Sequence, residues 1–302
     1  MAYELGERLL ALAESADDPG LLGQSHIVLG TSSFYLGELG RARTHLDRGV
    51  ACFDLENHCA DAFLLGQDPL VHGLIASGRA LWFLGYPDQA RKRMQEALAL
   101  ARKLSHPYSL ALGLTLAAEL HQCRRETERT LEYAEAAITL STEQGFPLWL
   151  AWATILRGWA LGQQGRAEEG IAQMREGLIA YRATGAELAR PYQLAPLAQA
   201  CGNAGQAEAG LETLREALNV ADRKGERYYV AELHRLRGEL LQQRSGAQSR
   251  YLADHEAAQA CFRDAIAIAR QQGAPGRSSC VRRRVWLDCA SARPTGAPPG
   301  KR

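Results

Sequence analysis

No charge of one sign dominates this chain: 35 Lys and Arg stand against 34 Asp and Glu. The long-range field that collects nucleic acid or anionic lipid is therefore missing from the chain as a whole. No window reaches the roughly 18 apolar residues that a membrane span needs, and the N-terminus, MAYELGERLLALAE, has no basic segment followed by an apolar block. The expected location is the cytoplasm, with neither nucleic acid nor membrane as partner. The seven cysteines are odd in number, widely spaced and never arranged C-x-x-C. That excludes a disulfide framework and a zinc site of the usual spacing, and leaves them as small buried apolar residues.

Catalytic signatures are also missing. The nearest string to a phosphate loop, GLIASGRA (73–80), has Arg for Lys and Ala for Ser/Thr. It falls within a helical pattern whose N–H groups are already committed. There is no G-x-S-x-G, H-E-x-x-H or G-x-G-x-x-G after a strand. His58 and Cys59 are neighbours in sequence, but adjacent side chains seldom converge on a metal and no third ligand is evident. The reading is of a protein that is not an enzyme, without cofactor or metal.

A strict rhythm of small residues is present. Gly78, Ala118, Gly158, Ala198 and Gly238 follow one another at intervals of 40, with Gly30 placed 48 before the first. Twelve residues after these lie Ala42, Ala90, Thr130, Gly170 and Gly210, and seven further on Gly49, Ala97, Ala137, Gly177 and Ala217. In the last unit the same two sites, Ala258 and Ala265, come eight residues late. Side chains of hydrogen or methyl size at fixed intervals mark places where two helix backbones approach closely. Large apolar residues between them, such as Leu46, Met94, Met174, Leu214 and Phe262, form the core.

Breakers punctuate the units. GELGRA (37–42), GYPDQA (85–90), QGRAEEG (164–170) and AGQAEAG (204–210) end one helix and start the next. Pro69, Pro107 and Pro147 suit first-turn positions, where a missing N–H is tolerated. The pattern predicts helices near 3–14, 20–36, 40–54, 69–84, 87–103, 107–123, 127–143, 147–163, 167–183, 187–203, 207–223, 226–243 and 254–271, and no strand. Pro196, inside one of them, predicts a bend. The polar stretch QQRSGAQSRYLADHE (242–256) predicts a mobile surface loop.

These residues resemble the tetratricopeptide repeat, in a version longer than its simplest ~34-residue unit. The resemblance covers about 20–271. It implies an all-α, right-handed superhelical solenoid of antiparallel helix pairs. More narrowly, FYLGELGRARTHLDRG, ALWFLGYPDQA, EQGFPLWLAWATILRGWAL and GERYYVAELHRLRGELL are similar to the C-terminal repeat region of large bacterial proteins that join a class III nucleotide cyclase domain to a signalling ATPase. That similarity implies a regulatory arm; neither catalytic portion has a counterpart here. Residues 1–273 are expected to form the repeat domain, about six pairs plus a leading helix that looks like the second half of an earlier pair. The whole then reads as a piece of a longer protein, with self-association through cut ends as a second partner expectation.

The pattern stops after Gly273. Residues 274–302 carry seven basic side chains against Asp288 alone, without helical period. The expectation is a disordered basic tail, read as an out-of-frame product of a GC-rich gene, with a native tail as the alternative. CVRRRVW (280–286) mixes arginine with an aromatic, but its setting argues against nucleic-acid contact.

The resemblance places the first helix of each pair on the concave side, so that counting from the first small site gives an inward stripe. The stripe holds Tyr35; His72, Arg79 and Trp82; Glu119 and Gln122; Trp152, Trp159 and Gln163; Tyr192, Gln199 and Asn203; and Glu232, Arg235, Glu239 and Gln242. Large aromatics beside amides and charges have the composition of a binding surface. The expected function is a non-catalytic interaction scaffold or regulatory arm that holds a peptide or protein in its concave groove. A small-molecule sensor is the alternative, favoured if a closed apolar pocket forms around Trp152 and Trp159. For those two residues, simple core filling between neighbouring pairs is the competing reading.

Overall fold

The computed structural model describes residues 2–53, 66–245 and 251–273. They form thirteen helices: α1 (Ala2–Ala16), α2 (Pro19–Tyr35), α3 (Leu39–Ala51), α4 (Pro69–Phe83), α5 (Pro87–Lys103), α6 (Pro107–Cys123), α7 (Thr127–Gln144), α8 (Pro147–Gln163), α9 (Ala167–Ala183), α10 (Arg190–Asn203), α11 (Ala207–Lys224), α12 (Val230–Ser245) and α13 (Tyr251–Gln271). There is no strand among the described residues. From α2 onward they stack as six antiparallel pairs, and α1 packs on α2 with Leu5 and Leu12 turned outward. The tail 274–302, with CVRRRVW, and the His58–Cys59 pair lie outside the described residues.

The small-residue rhythm has the physical cause expected of it. A methyl added at Gly158 would come within 2.7 Å of the Gly170 carbonyl, and one at Gly170 within 2.5 Å of the Gly158 carbonyl. The same register places Gly78 over Ala90 and Gly210 over Ala198. Thr130, the exception in the series, is fully buried, and its hydroxyl donates to the Glu126 carbonyl at 3.0 Å, which satisfies the extra polar atom within its own helix.

Helix starts are fixed locally. Asp18 and Asp68 accept the backbone N–H of Leu21 and Val71 at 3.0 and 2.8 Å, with proline in the first turn behind each cap. Among the described residues, the turns inside pairs pass through the left-handed region at Gly37, Gly85, Gly165 and Gly205, and at Arg125 in the third pair. The GLIASGRA string lies wholly inside α4.

Two expectations are corrected. The helix predicted from 187 begins at Arg190, after Ala189 in a left-handed conformation (φ 60°), and continues through Pro196 to Asn203. The polar stretch 242–256 is mostly helical: α12 runs to Ser245 and α13 starts at Tyr251, leaving 246–250 outside the described residues. Asp254 in the first turn of α13 suits a helix N-terminus, and it accepts the Arg244 guanidinium.

The array also closes on itself. The Arg227 N–H, in the turn between α11 and α12, donates to the Tyr35 carbonyl at the end of α2 at 2.7 Å. The Gln272 side chain donates to the Arg227 carbonyl at 2.7 Å. Phe34, Tyr35, Phe83, Tyr228 and Tyr229 fill the joint with ring centroids 4.6–6.0 Å apart.

Candidate functional site

Closure turns the concave groove into an interior. The stripe residues fall into separate groupings, most of them buried, and the expectation of an open, solvent-facing groove is corrected. Arg79, Trp82, Glu119, Gln122, Trp152, Trp159, Tyr192, Glu232 and Arg235 are all buried. Trp152 and Trp159 are 4 % and 3 % exposed, so they fill the core between pairs. Gln163 and Asn203 are exposed, while Tyr35, His72, Gln199 and Glu239 are half-buried.

Three groupings result. At the joint, Arg79 Nε donates to Glu119 Oε1 at 2.9 Å, and its terminal nitrogens reach the Tyr35 and Tyr228 hydroxyls at 3.1 and 3.5 Å. Its guanidinium sits 4.6 Å from the Phe34 ring centroid and 5.5 Å from those of Tyr35 and Tyr228. Burial works against this charge, but Glu119 and the two phenols more than compensate and hold the Arg79 pKa well above its ordinary value. His72, at the start of α4, is pushed down to about 4 by burial and by Arg79, and its ring stays neutral at pH 7.

Beside the joint lies a narrow cleft where Trp82, Gln122, Arg125, Trp159, Pro196, Gln199, Tyr229 and Glu232 meet, enclosing about 30 Å³. An adjoining space of about 20 Å³ shares Trp159 and Gln199 and is rimmed by Gln163 and Asn203. Such volumes admit water molecules only. Gln122 is held by the fully buried Tyr192, whose hydroxyl donates to Gln122 Oε1 at 2.9 Å. The Trp159 indole N–H has no acceptor. Trp152 points elsewhere, edge-on to Tyr181 at 5.9 Å and stacked on Trp149 at 6.1 Å.

The third grouping is on α12, where Arg235 meets both carboxylate oxygens of Glu232 at 2.8 Å and also pairs with Glu239. The larger depressions of about 560 and 490 Å³ lie along α11, are open to solvent and are lined by alternating charges.

Counting along the stripe missed Phe34, Phe83, Arg125, Pro196, Tyr228 and Tyr229. Arg125 had a signal, because it occupies the turn position that is glycine in four other units and adopts φ 61°. A non-glycine residue held there against its preference points to a local role. Tyr228 had none, since it lies in a turn between pairs and its partners in α2 and α4 are 145 or more residues away. No group of three His, Cys, Asp or Glu side chains among the described residues could hold a metal ion. Among them, no helix is long and apolar enough to cross a membrane.

The fold is tetratricopeptide-like. It is similar to a Rap protein complexed with competence and sporulation factor (TM-score 0.63, 12 % identity, 86 % of this chain and 67 % of that one). It is also similar to the Rap conjugation gene regulator of plasmid pLS20 in complex with the Phr* peptide (TM-score 0.58, 12 % identity, 87 % and 79 %). A signal transduction ATPase with a tetratricopeptide repeat sensor from Pyrococcus horikoshii matches 96 % of this chain and 44 % of its own (TM-score 0.53, 15 % identity). In sequence, an uncharacterized protein of Rhizobium meliloti is 26 % identical over 266 residues, 87 % of this chain. The chain spans about a quarter of that protein's length. No protein-family model matches the chain.

Proposed function

We propose that the chain is the non-catalytic recognition arm of a longer signalling protein, and that it holds a peptide or protein segment on its inner face. The observation that carries this is the cleft that Trp159, whose buried indole N–H has no acceptor, lines together with Gln122 and Gln199. An unpaired buried donor costs about 1–3 kcal/mol, a cost that an acceptor brought by a ligand removes. The Rap structures hold a factor or a peptide, and the Pyrococcus horikoshii ATPase carries its repeats as a sensor, which supports the reading by likeness of fold. Its span within a much longer relative fits an arm.

The test is a selection from a random peptide library against the whole chain, followed by affinity measurement on Trp159→Phe and Gln199→Leu. Trp159→Phe keeps an aromatic ring but removes the indole N–H together with two carbons of the bicycle, so both variants should lower the affinity for selected peptides while helical content is unchanged. Peptides that bind both variants as they bind the original chain, or that cross-link to the outer helices α9 and α11, would remove this reading.

A small-molecule sensor is the second reading, supported by the enclosure of the two adjoining spaces around Trp159. A compound that raises the melting temperature of the original chain but not of Trp159→Phe would favour it.

A further inference from the structure

The cleft is too small for anything beyond water, so a larger ligand must enter where the superhelix parts. The joint between α2 and the turn 225–229 is where the two ends of the array meet, through one backbone hydrogen bond and the Gln272 side chain. What fills this joint has the form of a bound ligand. Tyr228 is 1 % exposed and inserts its ring between Phe34, Tyr35 and Phe83, with centroids at 4.6, 5.5 and 5.5 Å and edge-on geometry to the last two. Its hydroxyl lies 3.5 Å from an Arg79 terminal nitrogen. Both backbone groups of the preceding residue are engaged from outside: the Arg227 N–H by the Tyr35 carbonyl, the Arg227 carbonyl by Gln272. An aromatic anchor in a pocket, flanked by main-chain hydrogen bonds, is how a short peptide is recognised.

We propose that Phe34, Tyr35, Arg79 and Phe83 form a docking site for a tyrosine-bearing segment, which this chain fills with its own Tyr228. The anchor ring packs against Phe34 and Phe83, its hydroxyl faces the guanidinium, and the N–H of the residue before it pairs with the free carbonyl at the end of α2. Glu119 holds the guanidinium in place from the opposite side at 2.9 Å. While Tyr228 is seated, the superhelix is closed and the inner face is covered. A segment that displaces it opens the array and uncovers the cleft. This rests on the recognition reading for its purpose but not for its test, since the probe is a piece of the chain itself.

The probe is a fluorescein-labelled peptide of residues 225–232, GERYYVAE, added to the whole chain and to Tyr228→Ala. Removing the internal competitor raises the fraction of vacant sites, so the peptide should bind Tyr228→Ala at least about ten-fold more tightly than the original chain. The peptide with alanine at its first tyrosine should not bind. Equal affinity for both chains, or equal binding of both peptides, with helical content retained, overturns the proposal. Should Tyr228→Ala not fold, hydrogen exchange on the original chain decides. An Arg227 amide that exchanges through local opening, faster than the Ile155 amide inside α8, supports a separable joint. One that exchanges only with global unfolding overturns it. Failure here leaves a peptide selected at the Trp159 cleft unaffected, and a failed selection leaves this result standing.

Discussion

Arg79 and Glu119 stand at equivalent positions of consecutive helix pairs, 40 residues apart, and meet through a 2.9 Å bond in the interior. Each follows its unit's small site by one residue, so the 40-residue spacing that packs the backbones also brings a cation and an anion face to face.

Removing one partner of such a pair leaves the other charged and buried. Arg79→Met should lose about 3–5 kcal/mol, and Arg79→Met with Glu119→Leu should lose less than Arg79→Met alone. Urea denaturation of the two single variants and the double variant measures this. A double-variant loss equal to the sum of the two single losses would show that the two charges do not depend on each other.

Two glycines of α8 should respond in opposite directions. Gly158→Ala places a methyl 2.7 Å from the Gly170 carbonyl, and backbone cannot step aside as a side chain can; a loss of about 1–3 kcal/mol follows. Gly162→Ala meets nothing within 4 Å, so the better helix propensity of alanine should stabilise by up to about 1 kcal/mol. Thermal melting of the two variants side by side gives the comparison.

Glu226 links the joint to pH. Its carboxylate accepts the Ala189 N–H at 3.1 Å, and burial raises its pKa from 4.5 to about 7, against the opposing pull of that N–H, Arg79 and Lys224. The folded chain therefore binds this proton more tightly than the unfolded chain does. The stability tied to this group is fully present below about pH 4.5 and is lost as pH rises to about 7. At about 1.4 kcal/mol per pH unit the span amounts to about 3 kcal/mol at most. Glu226→Gln should flatten that slope and be more stable than the original chain at pH 8, as urea midpoints at pH 5 and pH 8 would reveal. An unchanged slope would show that Glu226 does not carry it.

Trp159→Ala leaves a cavity in a closed interior and should lose about 3–5 kcal/mol. Trp159→Phe should lose less, because a six-membered ring is kept and the cavity left is smaller. Melting curves of both variants distinguish packing from the N–H that the recognition reading depends on.

The helix pairs were legible because their determinants are local. Gly158 over Gly170 and Gly78 over Ala90 are contacts within a pair, and the helices 87–103, 107–123, 147–163 and 167–183 fall where the pattern placed them. The start of α13 was placed at 254, three residues late, because the polar stretch leading up to Asp254, His255 and Glu256 serves a helix N-terminus as well as it serves a loop. Closure was not legible, since it depends on small rotations summed over six pairs. An inward stripe of aromatics and charges reads the same whether it faces solvent or, like Trp159 and Arg235, the opposite wall. Tyr228 falls between units, where no period applies. Arg125 could have been read from its position in the glycine series.

The joint also changes how the chain has to be made. Most of the packing between helices joins neighbours in sequence or helices of adjacent pairs, whereas Tyr35 and Arg227 are separated by 192 positions. Pairs can form one by one as they leave the ribosome, but Phe34, Tyr35 and Phe83 stay uncovered until Tyr228 has emerged. At about 5–20 residues per second that interval is about 10–40 seconds. During it, a nascent chain shows an aromatic face that another nascent chain on the same message can reach. The late closure of the ring thus makes crowding among growing chains, not the stability of the finished one, the stage at which this sequence is most exposed to misassembly.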